Sequence, residues 1–372
     1  MTLRSKLNGN LLIRSLASIR ITVTCLFLLF ILTFWGTVAQ VQQGLYQAQH
    51  EFFFSWYFLG FGFLPFPGAQ LVLWVLFVNL VCVALTRFVY RWSHLGIVII
   101  HTGLLTYFFS AFILFHVVKE SNVTLLEGES TNVSVTYHDW ELSIWESEIN
   151  NQKKVFAYDA KTFNPGVSLP EFQLMVKNYY PNASAFTNSN PQNITILNSS
   201  HITGFADQRV KIEPEKNIPG LILETQGIKD NPLLMLYGAE IKPTAFQSRG
   251  KTYFAQLRRK HYQLPFTITL KDFQKELHPG TDIARSYKSS VIVEHDGVNR
   301  EALIYMNNPL TSRDFILFQA SYSVDEMGRE ASTFAVVQNK GRILPYISSL
   351  LTFAGLATHF LMMALKRKKK QA

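Results

Sequence analysis

Residues 95–117 read LGIVIIHTGLLTYFFSAFILFHV, and this stretch decides the fold class. It contains no Asp, Glu, Lys or Arg. About 20 apolar residues at 1.5 Å rise suffice to cross a hydrocarbon core roughly 30 Å thick. Three other runs have the same character, at residues 21–39, 69–86 and 346–365. The first apolar run is too long for a signal peptide, so we predict a membrane protein with four transmembrane helices.

The formal net charge of +9 arises from 35 Lys and Arg against 26 Asp and Glu, and it is unevenly distributed. Residues 118–342 hold 24 of the basic residues and 25 of the acids (24 − 25 = −1), so this segment is nearly neutral. The other basic residues lie in residues 1–20, 87–94 and 366–372, at the ends of the apolar runs. Because Lys and Arg concentrate on the cytoplasmic side, we predict that these three segments are cytoplasmic. Without a basic patch on a folded face, nucleic-acid binding is not expected.

Two segments are then extracytoplasmic, residues 40–68 and residues 118–342. The shorter one is rich in aromatic residues that cluster before Pro65-Phe66-Pro67-Gly68. Aromatic rings favour the lipid headgroup region, which predicts an interfacial or re-entrant segment whose simplest role is membrane anchoring.

The longer extracytoplasmic segment has alternating β-branched and aromatic runs, for example at residues 266–270 and 333–338. Turn signals such as Asp296-Gly297 separate these runs. We therefore predict a large β-rich domain, either a sandwich or an open barrel, built as one large or two small modules. Cys25 and Cys82 both lie in spans, where packing as small apolar groups is the simplest interpretation and a bonded pair is the alternative.

Histidines within or beside the spans are the candidate functional residues: His94, His101 and His359, with His116 at the exterior end of the third span. An ionisable side chain in lipid faces a protein interior or cavity. Neutral imidazole is a strong haem-iron ligand, and His101 and His359 are both predicted in the cytoplasmic half of the membrane. Hydrogen bonding between helices is the alternative role for these two. His94 and His116 are expected at the membrane interfaces.

Between the second and third spans, at their predicted cytoplasmic ends, lie Arg87, Arg91 and Trp92. They are candidates for haem propionate binding and stacking. The alternative is that the two arginines only control topology.

The chain resembles the ResB family of cytochrome c biogenesis proteins. The resemblance rests on the layout of four spans with one large domain before the last span, and on sequence signatures in a fixed order. These signatures are His101 followed by Ser110-Ala111 and Glu120; Leu126-Glu127-Gly128-Glu129; Leu264-Pro265-Phe266; Leu270-Lys271-Asp272-Phe273; His278-Pro279-Gly280-Thr281; Ser289-Ser290; Met306-Asn307-Asn308-Pro309-Leu310; Phe318-Gln319-Ala320-Ser321-Tyr322; and Gly341-Arg342 with Pro345-Tyr346.

This resemblance implies a subunit of the System II machinery in the bacterial cytoplasmic (inner) membrane. Such a subunit acts with a CcsA-type partner to carry haem b outward and attach it to Cys-x-x-Cys-His of apocytochrome c. His101 matches the membrane haem ligand of the family, and the partner supplies the opposite ligand. A thioredoxin-like thiol-reducing protein is a further expected partner. The resemblance implies no catalytic residue in this chain alone, and the enzyme is the holocytochrome c synthase complex.

Departures from the family pattern are few. This chain has no Trp-rich exterior motif, so haem attachment is expected to occur elsewhere in the complex. Ser348 stands where a glycine is common, and we expect it to alter only helix packing. Glu127 and Glu129 are either a partner contact or solvated acids of a β-turn.

Two other functions fit the same residues. In a cytochrome b-like electron-transfer protein, His101 and His359 of one chain would ligate a single haem. In a cofactor-free membrane receptor or assembly protein, no haem would be bound at all.

Overall fold

A computed structural model describes residues 10–88, 91–146, 154–187, 202–226, 233–281, 284–325 and 327–371. The basic residues Arg4 and Lys6, which contribute to the topology prediction, lie outside these ranges. The chain divides into two compact units. One comprises Met1–Lys119 and Gln338–Ala372, and the other comprises Glu120–Val337.

The first unit is helical. Its α-helices within the described residues are α1 (Leu11–Leu16), α2 (Ile19–Ala48), α3 (Ala69–Thr86), α4 (Leu95–Val117) and α5 (Ile343–Gln371). Four helical segments in this part of the chain are long and apolar enough to cross a membrane: Ile19–Phe53, Ala69–Thr86, Leu95–Val117 and Ile343–Lys366.

The helix of the first span is longer than its apolar run. Helix α2 continues to Ala48, with a kink at Gly44, where φ is 75°, and a π-helical turn follows at Gln49–Phe53. A short hairpin of β1 (Tyr57–Gly60) and β2 (Leu64–Pro67) then leads into α3. Much of residues 40–68 is therefore helix and hairpin.

An aromatic cluster fixes this helix–hairpin segment. The indole ring of Trp35 on α2 lies 5.7 Å from the ring of Phe52, 5.5 Å from Phe58 and 5.3 Å from Phe66, measured between centroids. Edge-to-face pairs at these distances are favourable beyond the apolar area that they bury. The hairpin is thus held against the C-terminal half of α2.

The corner between α1 and α2 is secured by polar side chains. The Ser18 hydroxyl accepts a hydrogen bond from the backbone N–H of Arg20 and caps α2. Asn79 on α3 is 2% exposed, accepts a bond of 2.7 Å from the Thr22 hydroxyl, and donates to the carbonyls of Leu16 and Ser18. Such bonds satisfy backbone groups that lipid cannot satisfy.

The second unit, Glu120–Val337, is β-rich. The strands are β3 (Lys119–Leu126), β4 (Ser130–Glu146), β5 (Val155–Asp159), β6 (Ser168–Leu169), β7 (Leu174–Tyr180), β8 (Ala183–Thr187), β9 (Ile202–Asp207), β10 (Gly220–Thr225), β11 (Leu233–Tyr237), β12 (Thr244–Ser248), β13 (Lys251–Leu277), β14 (Ala284–His295), β15 (Val298–Tyr305), β16 (Leu310–Ser312), β17 (Phe315–Val324) and β18 (Glu330–Gln338). The longest sheet has the strand order β15-β14-β13-β4-β3-β18-β17-β16, with β12 also paired to β13 and β5 to β4. A second sheet has the order β11-β10-β7-β6, and β8 pairs with β9.

Two hydrophobic cores lie within this unit, and the long strand β13 contributes to both. Its first half supplies Ala255 and Leu257 to a core with Leu142 and Ile144 of β4. Its second half supplies residues to the other core, whose members include Phe266, Ile268, Leu270, Val291, Ile304, Leu317 and Phe334. The β4–β13 register shifts between Arg259 and His261, and again between Gln263 and Ile268. These shifts separate the two cores along a single pair of strands.

The predicted fold class is confirmed: four apolar helices accompany a large β-rich region whose sheets are not closed into a barrel. Cys25 and Cys82 are both buried and free. Cys25 packs in the apolar cluster that joins α2 and α3, as expected of a small hydrophobic side chain.

Candidate functional site

Helices α4 and α5 are antiparallel and in close contact. Gly96 of α4 lies beside His359 of α5, whereas Gly341 before α5 lies beside Leu114 near the other end of α4. A Cβ on Gly96 would lie 2.5 Å from the His359 backbone nitrogen, and one on Gly355 would lie 2.6 Å from the Ile100 nitrogen. Small residues therefore let the two backbones touch, as in other transmembrane helix pairs.

The α4 face that contacts α5 repeats every seven residues. Gly96, Gly103 and Ser110 are its buried positions. On α5 the matching buried positions are Ser348 and Gly355. Ser348 is fully buried and its carbonyl oxygen lies 3.1 Å from the position of a Cβ on Gly103, so this residue belongs to the packed face. Its hydroxyl donates to the Pro345 carbonyl of its own helix.

The opposite face of α4 meets α3 through large aromatic side chains. Phe108 lies 6.0 Å from Phe77, and Phe112 lies 5.4 Å from Trp74, between ring centroids. Phe88 follows α3, and its ring lies 4.7 Å from the His101 imidazole in an edge-on arrangement. We call this row of rings between α3 and α4 the aromatic seam. It is defined by Trp74, Phe77, Phe88, His101, Phe108 and Phe112.

The His101 side chain is half-buried in this seam and its tautomer follows from one contact. Its Nδ1 lies 2.8 Å from the carbonyl oxygen of Ile97, one turn earlier. A carbonyl only accepts, so Nδ1 carries the proton and donates, which leaves the lone pair of the neutral ring on Nε2. This is the arrangement that orients histidine ligands of metals, in which the second ring nitrogen is held by a hydrogen bond.

His359 lies at a different interface. Its backbone contacts Gly96 at the α4–α5 interface, and its ring neighbours Phe360 at 5.9 Å. At 100° per residue, His101 lies about 160° around α4 from Gly103, which faces α5. His101 is also five residues beyond the level of Gly96, about 7.5 Å along the helix axis. Among the described residues, no contact joins His101 to His359, and their assignment as haem ligands stays a prediction.

The residues that we predict at the cytoplasmic ends of the second and third spans are exposed. His94 ends the 3₁₀ turn Trp92–His94 that precedes α4, and it is exposed together with Arg87 and Arg91. Trp92 is 83% exposed. These residues are accessible to a ligand at this end of the helices, and the geometry does not assign one to them.

The turn between β3 and β4 is stabilised by the carboxylates of Glu127 and Glu129. The Glu127 carboxylate accepts from the Phe273 backbone N–H at 2.7 Å, and that of Glu129 accepts from the Leu126 N–H at 2.9 Å. Gly128 between them has φ of 82°, a conformation that suits glycine. This geometry explains the Glu-Gly-Glu motif as a turn.

A cluster of charged and aromatic residues surrounds Trp140 of β4. The Arg259 guanidinium lies 4.0 Å above the indole ring and donates to the carbonyls of Tyr137 and Glu215. Nearby, the Lys260 ammonium bonds to Asp159 at 2.7 Å. Burial opposes ionisation of Asp159, but hydrogen bonds from Lys260 and the Lys161 N–H, together with the charge of Lys260, lower its pKa overall. These contacts join strands and turns, which indicates a structural role.

Polar residues from the exterior signatures meet beneath the sheet surface. Ser289 is fully buried, and its hydroxyl bonds to the Gln319 amide oxygen at 2.7 Å and to the Ser332 hydroxyl at 2.8 Å. The Gln319 amide nitrogen donates to Ser332 at 2.8 Å, which closes the network. Completely bonded buried networks of this kind specify strand positions.

Sequence reasoning missed Asn79 and most of the aromatic seam. A lone Asn in an apolar span is a signal that points to a buried bonded site. The seam residues carry no such signal, because Phe and Trp are common in any span. Within the described residues, no cluster of three or more His, Cys, Asp or Glu that could hold a metal ion is present.

The part of the chain that matches a known protein family lies almost entirely in the β-rich unit. Residues 243–342 match the model of the ResB-like family, and they contain β12 to β18. Protein NrfI of Wolinella succinogenes is 33% identical to this chain over 100 residues, which is 26% of this chain and 11% of that protein. The resemblance to the ResB family is thereby confirmed, with residues 243–342 as the ResB-like part of this chain.

Proposed function

We propose that this protein is a membrane subunit of the System II cytochrome c biogenesis machinery. The ResB-like match at residues 243–342 carries the proposal, and the similarity to Protein NrfI supports a role in cytochrome c biogenesis. The four apolar helices suggest a membrane protein. The activity of the whole complex, its substrates and its partners belong to the proposal.

The charge distribution supports an orientation. Arg20 lies in the first turn of α2, Arg87 and Arg91 lie between α3 and α4, and Lys366 lies near the end of α5. These positions share one end of four consecutive spans, so the positive-inside rule makes that end cytoplasmic. Both termini are then cytoplasmic, and the β-rich unit lies outside a bacterial cytoplasmic membrane.

Haem is the cargo in this proposal. His101 presents an Nε2 lone pair from a ring whose Nδ1 is held by Ile97, and its surroundings are the aromatic side chains of the seam. An apolar macrocycle with one open axial position suits such a site. The other side of α4 is closed by backbone contact with α5. In this proposal the opposite ligand comes from a CcsA-type partner, as the family resemblance implies, and this partner packs on the α3–α4 side.

The β-rich unit docks the partner and the apocytochrome. Residues 118–342 contain no cysteine, so they cannot exchange disulfides with the Cys-x-x-Cys-His segment. A thioredoxin-like protein keeps those thiols reduced. Covalent attachment is an activity of the assembled holocytochrome c synthase, to which this chain contributes haem positioning.

The test is the absorption spectrum of the complex purified with its partner from haem-replete cells. We compare the wild type with His101→Gly, His359→Ala and, as a matched control on the exposed exterior surface, His278→Ala. We expect haem to be lost in His101→Gly, restored by added imidazole, and retained in the other two variants. Restoration by imidazole separates loss of a ligand from loss of folding.

Three outcomes contradict the proposal. Unchanged haem content in His101→Gly excludes His101 as a ligand. Haem in the isolated chain that is lost in both His101→Gly and His359→Ala favours a cytochrome b-like protein. Absence of haem from the wild-type complex favours a cofactor-free receptor or assembly protein.

A further inference from the structure

One end of the helical unit carries positive charge and no acid in its sequence. This end comprises the start of α2, the end of α3, the start of α4 and the end of α5. Residues 1–20, 87–94 and 366–372 contain Lys and Arg but no Asp or Glu. Arg14, Arg20, Arg87 and Arg91 are exposed, and the ion pairs of arginine among the described residues all lie in the β-rich unit. No carboxylate of these segments neutralises the four arginines.

Hydrogen bonds from Asn79 of α3 fix the segment that carries two of these arginines. The Asn79 amide nitrogen lies 2.5 Å from the Leu16 carbonyl oxygen and 3.0 Å from that of Ser18. Arg14 is two residues before Leu16, and Arg20 is two residues after Ser18. Helix α1 also contacts α3. Both arginines are thus held beside α3.

A third arginine lies at the same end of α3. Arg87 directly follows this helix, eight residues after Asn79, which corresponds to about 12 Å along the helix axis. Three chain segments, α1, α2 and the residue after α3, therefore each bring a guanidinium group to this end. A guanidinium group forms two parallel hydrogen bonds with the oxygens of a phosphate or a carboxylate, so the surface suits a ligand with such an anion.

Exposed apolar side chains lie next to the arginines. Leu11 and Leu12 of α1 are 80% and 70% exposed. Val23 and Phe27, one and two turns after Arg20 on α2, are also exposed. A surface with anion-binding groups at one edge and apolar side chains beside them has the polarity of a phospholipid, whose phosphate is joined to acyl chains. An acidic protein or a free phosphate would match only the charged part.

We propose that Arg14, Arg20 and Arg87 bind the phosphate of an anionic phospholipid, whose acyl chains lie along the exposed apolar surface of α2. Leu11 and Leu12 then lie among the headgroups and upper acyl chains of the same leaflet. Basic residues beside membrane spans attract anionic lipids, which favours phosphatidylglycerol or cardiolipin over zwitterionic phosphatidylcholine. The inference depends neither on haem nor on a partner, so its failure leaves the proposed function standing.

The test is native mass spectrometry of the full chain, released from detergent that contains phosphatidylglycerol or phosphatidylcholine at known concentrations, with or without inorganic phosphate. One variant replaces Arg14, Arg20 and Arg87 with Gln. A second variant replaces the same three residues with Lys, which keeps the charge and shows whether the fold tolerates substitution there. The matched control removes the same charge from exposed positions of the β-rich unit: Arg209→Gln, Arg285→Gln and Arg300→Gln.

We expect the wild type to bind phosphatidylglycerol more tightly than phosphatidylcholine. The Gln variant should lose roughly tenfold or more of its affinity for phosphatidylglycerol and little of that for phosphatidylcholine. The Lys variant should lose less, and the control should keep the wild-type affinities. Equal affinities of the wild type for the two lipids, or equal losses in the Gln variant and the control, overturn the inference. Displacement of the lipid by millimolar inorganic phosphate also overturns it, because the site would then bind a free anion.

Discussion

The backbone nitrogen of His359 lies 2.5 Å from the point that a Cβ on Gly96 would occupy, so α5 lies directly against the backbone of α4. This contact assigns His359 to the α4–α5 interface and leaves His101 on the other side of α4, in the aromatic seam. In the proposed function, a haem at His101 would be approached from the α3 side of α4, because α5 covers the opposite side.

Replacing Gly96 with Ala should separate α4 and α5. The added methyl group overlaps backbone atoms that a rotamer change cannot move, and overpacking of this kind costs about 1–3 kcal/mol. The measurement is the unfolding free energy in mixed micelles.

Ser110→Ala is the matched control on the same face, because the Ser110 hydroxyl is buried and, among the described residues, has no hydrogen-bond partner. We expect that control to be neutral or slightly stabilising, and equal losses in both variants would contradict the packing argument.

Replacing Asn79 with Leu should destabilise the turn that joins α1 and α2. The variant keeps the branched shape and the number of heavy atoms of the side chain but removes the bonds to Thr22, Leu16 and Ser18. Polar contacts between transmembrane helices contribute roughly 0.6–2 kcal/mol, so we expect a loss of about 1 kcal/mol. Hydrogen exchange of the amides in residues 11–18 should rise by several-fold. Thr22→Val removes one of the three bonds and should have a smaller effect; an equal effect would mean that the Leu16 and Ser18 bonds contribute nothing.

The layout of four helices and a β-rich region followed from the sequence, because apolar length and strand alternation are local properties. The end of α2 did not. Hydropathy ends near Ala39, where contact with lipid is expected to end, but the backbone continues as helix to Ala48 because Gln, Val and Leu sustain it beyond the apolar run. A helix end is set by backbone bonding, and a membrane boundary is set by polarity, so the two need not coincide.

The site was predicted only in part. His101 and His359 stand out in the sequence because histidine is rare in lipid. Their separation depends on which face of α4 meets α5, and Gly96 and Gly103 decide that. The role of the aromatic seam depends on partners distant in the sequence, such as Trp74 with Phe112. Long-range side-chain contacts of this kind have no periodic signature.

Replacing Arg258 with Ala should destabilise the β-rich unit. Glu141 is 3% exposed, and its carboxylate is paired with the Arg258 Nε atom at 3.0 Å. Removing the arginine leaves a buried charge without a partner, which costs roughly 3–5 kcal/mol at fully buried sites. Because the Arg258 side chain is 23% exposed, we expect a loss at the lower end of this range. Chemical denaturation monitored by tryptophan fluorescence measures the loss. Adding Glu141→Gln to this variant should recover part of it, and no recovery would show that lost packing, not charge, is responsible.

The stability of the β-rich unit should fall when the pH is lowered from about 6.5 to about 4. Burial, with a smaller contribution from the Arg258 charge, lowers the pKa of His261 to about 4, and burial also lowers the pKa of His138. Between that value and the ordinary histidine pKa near 6.5, the unfolded chain binds a proton that the folded chain does not bind. Unfolding is therefore favoured as the pH falls through this window, and the effect levels off below it.

Hydrogen exchange of β13 amides at pH 7 and pH 5 measures the change. In His261→Gln the difference between the two pH values should shrink, whereas in His278→Gln, an exposed control, it should persist. A difference that is the same in both variants would assign the acid sensitivity to His138 or to the carboxylates.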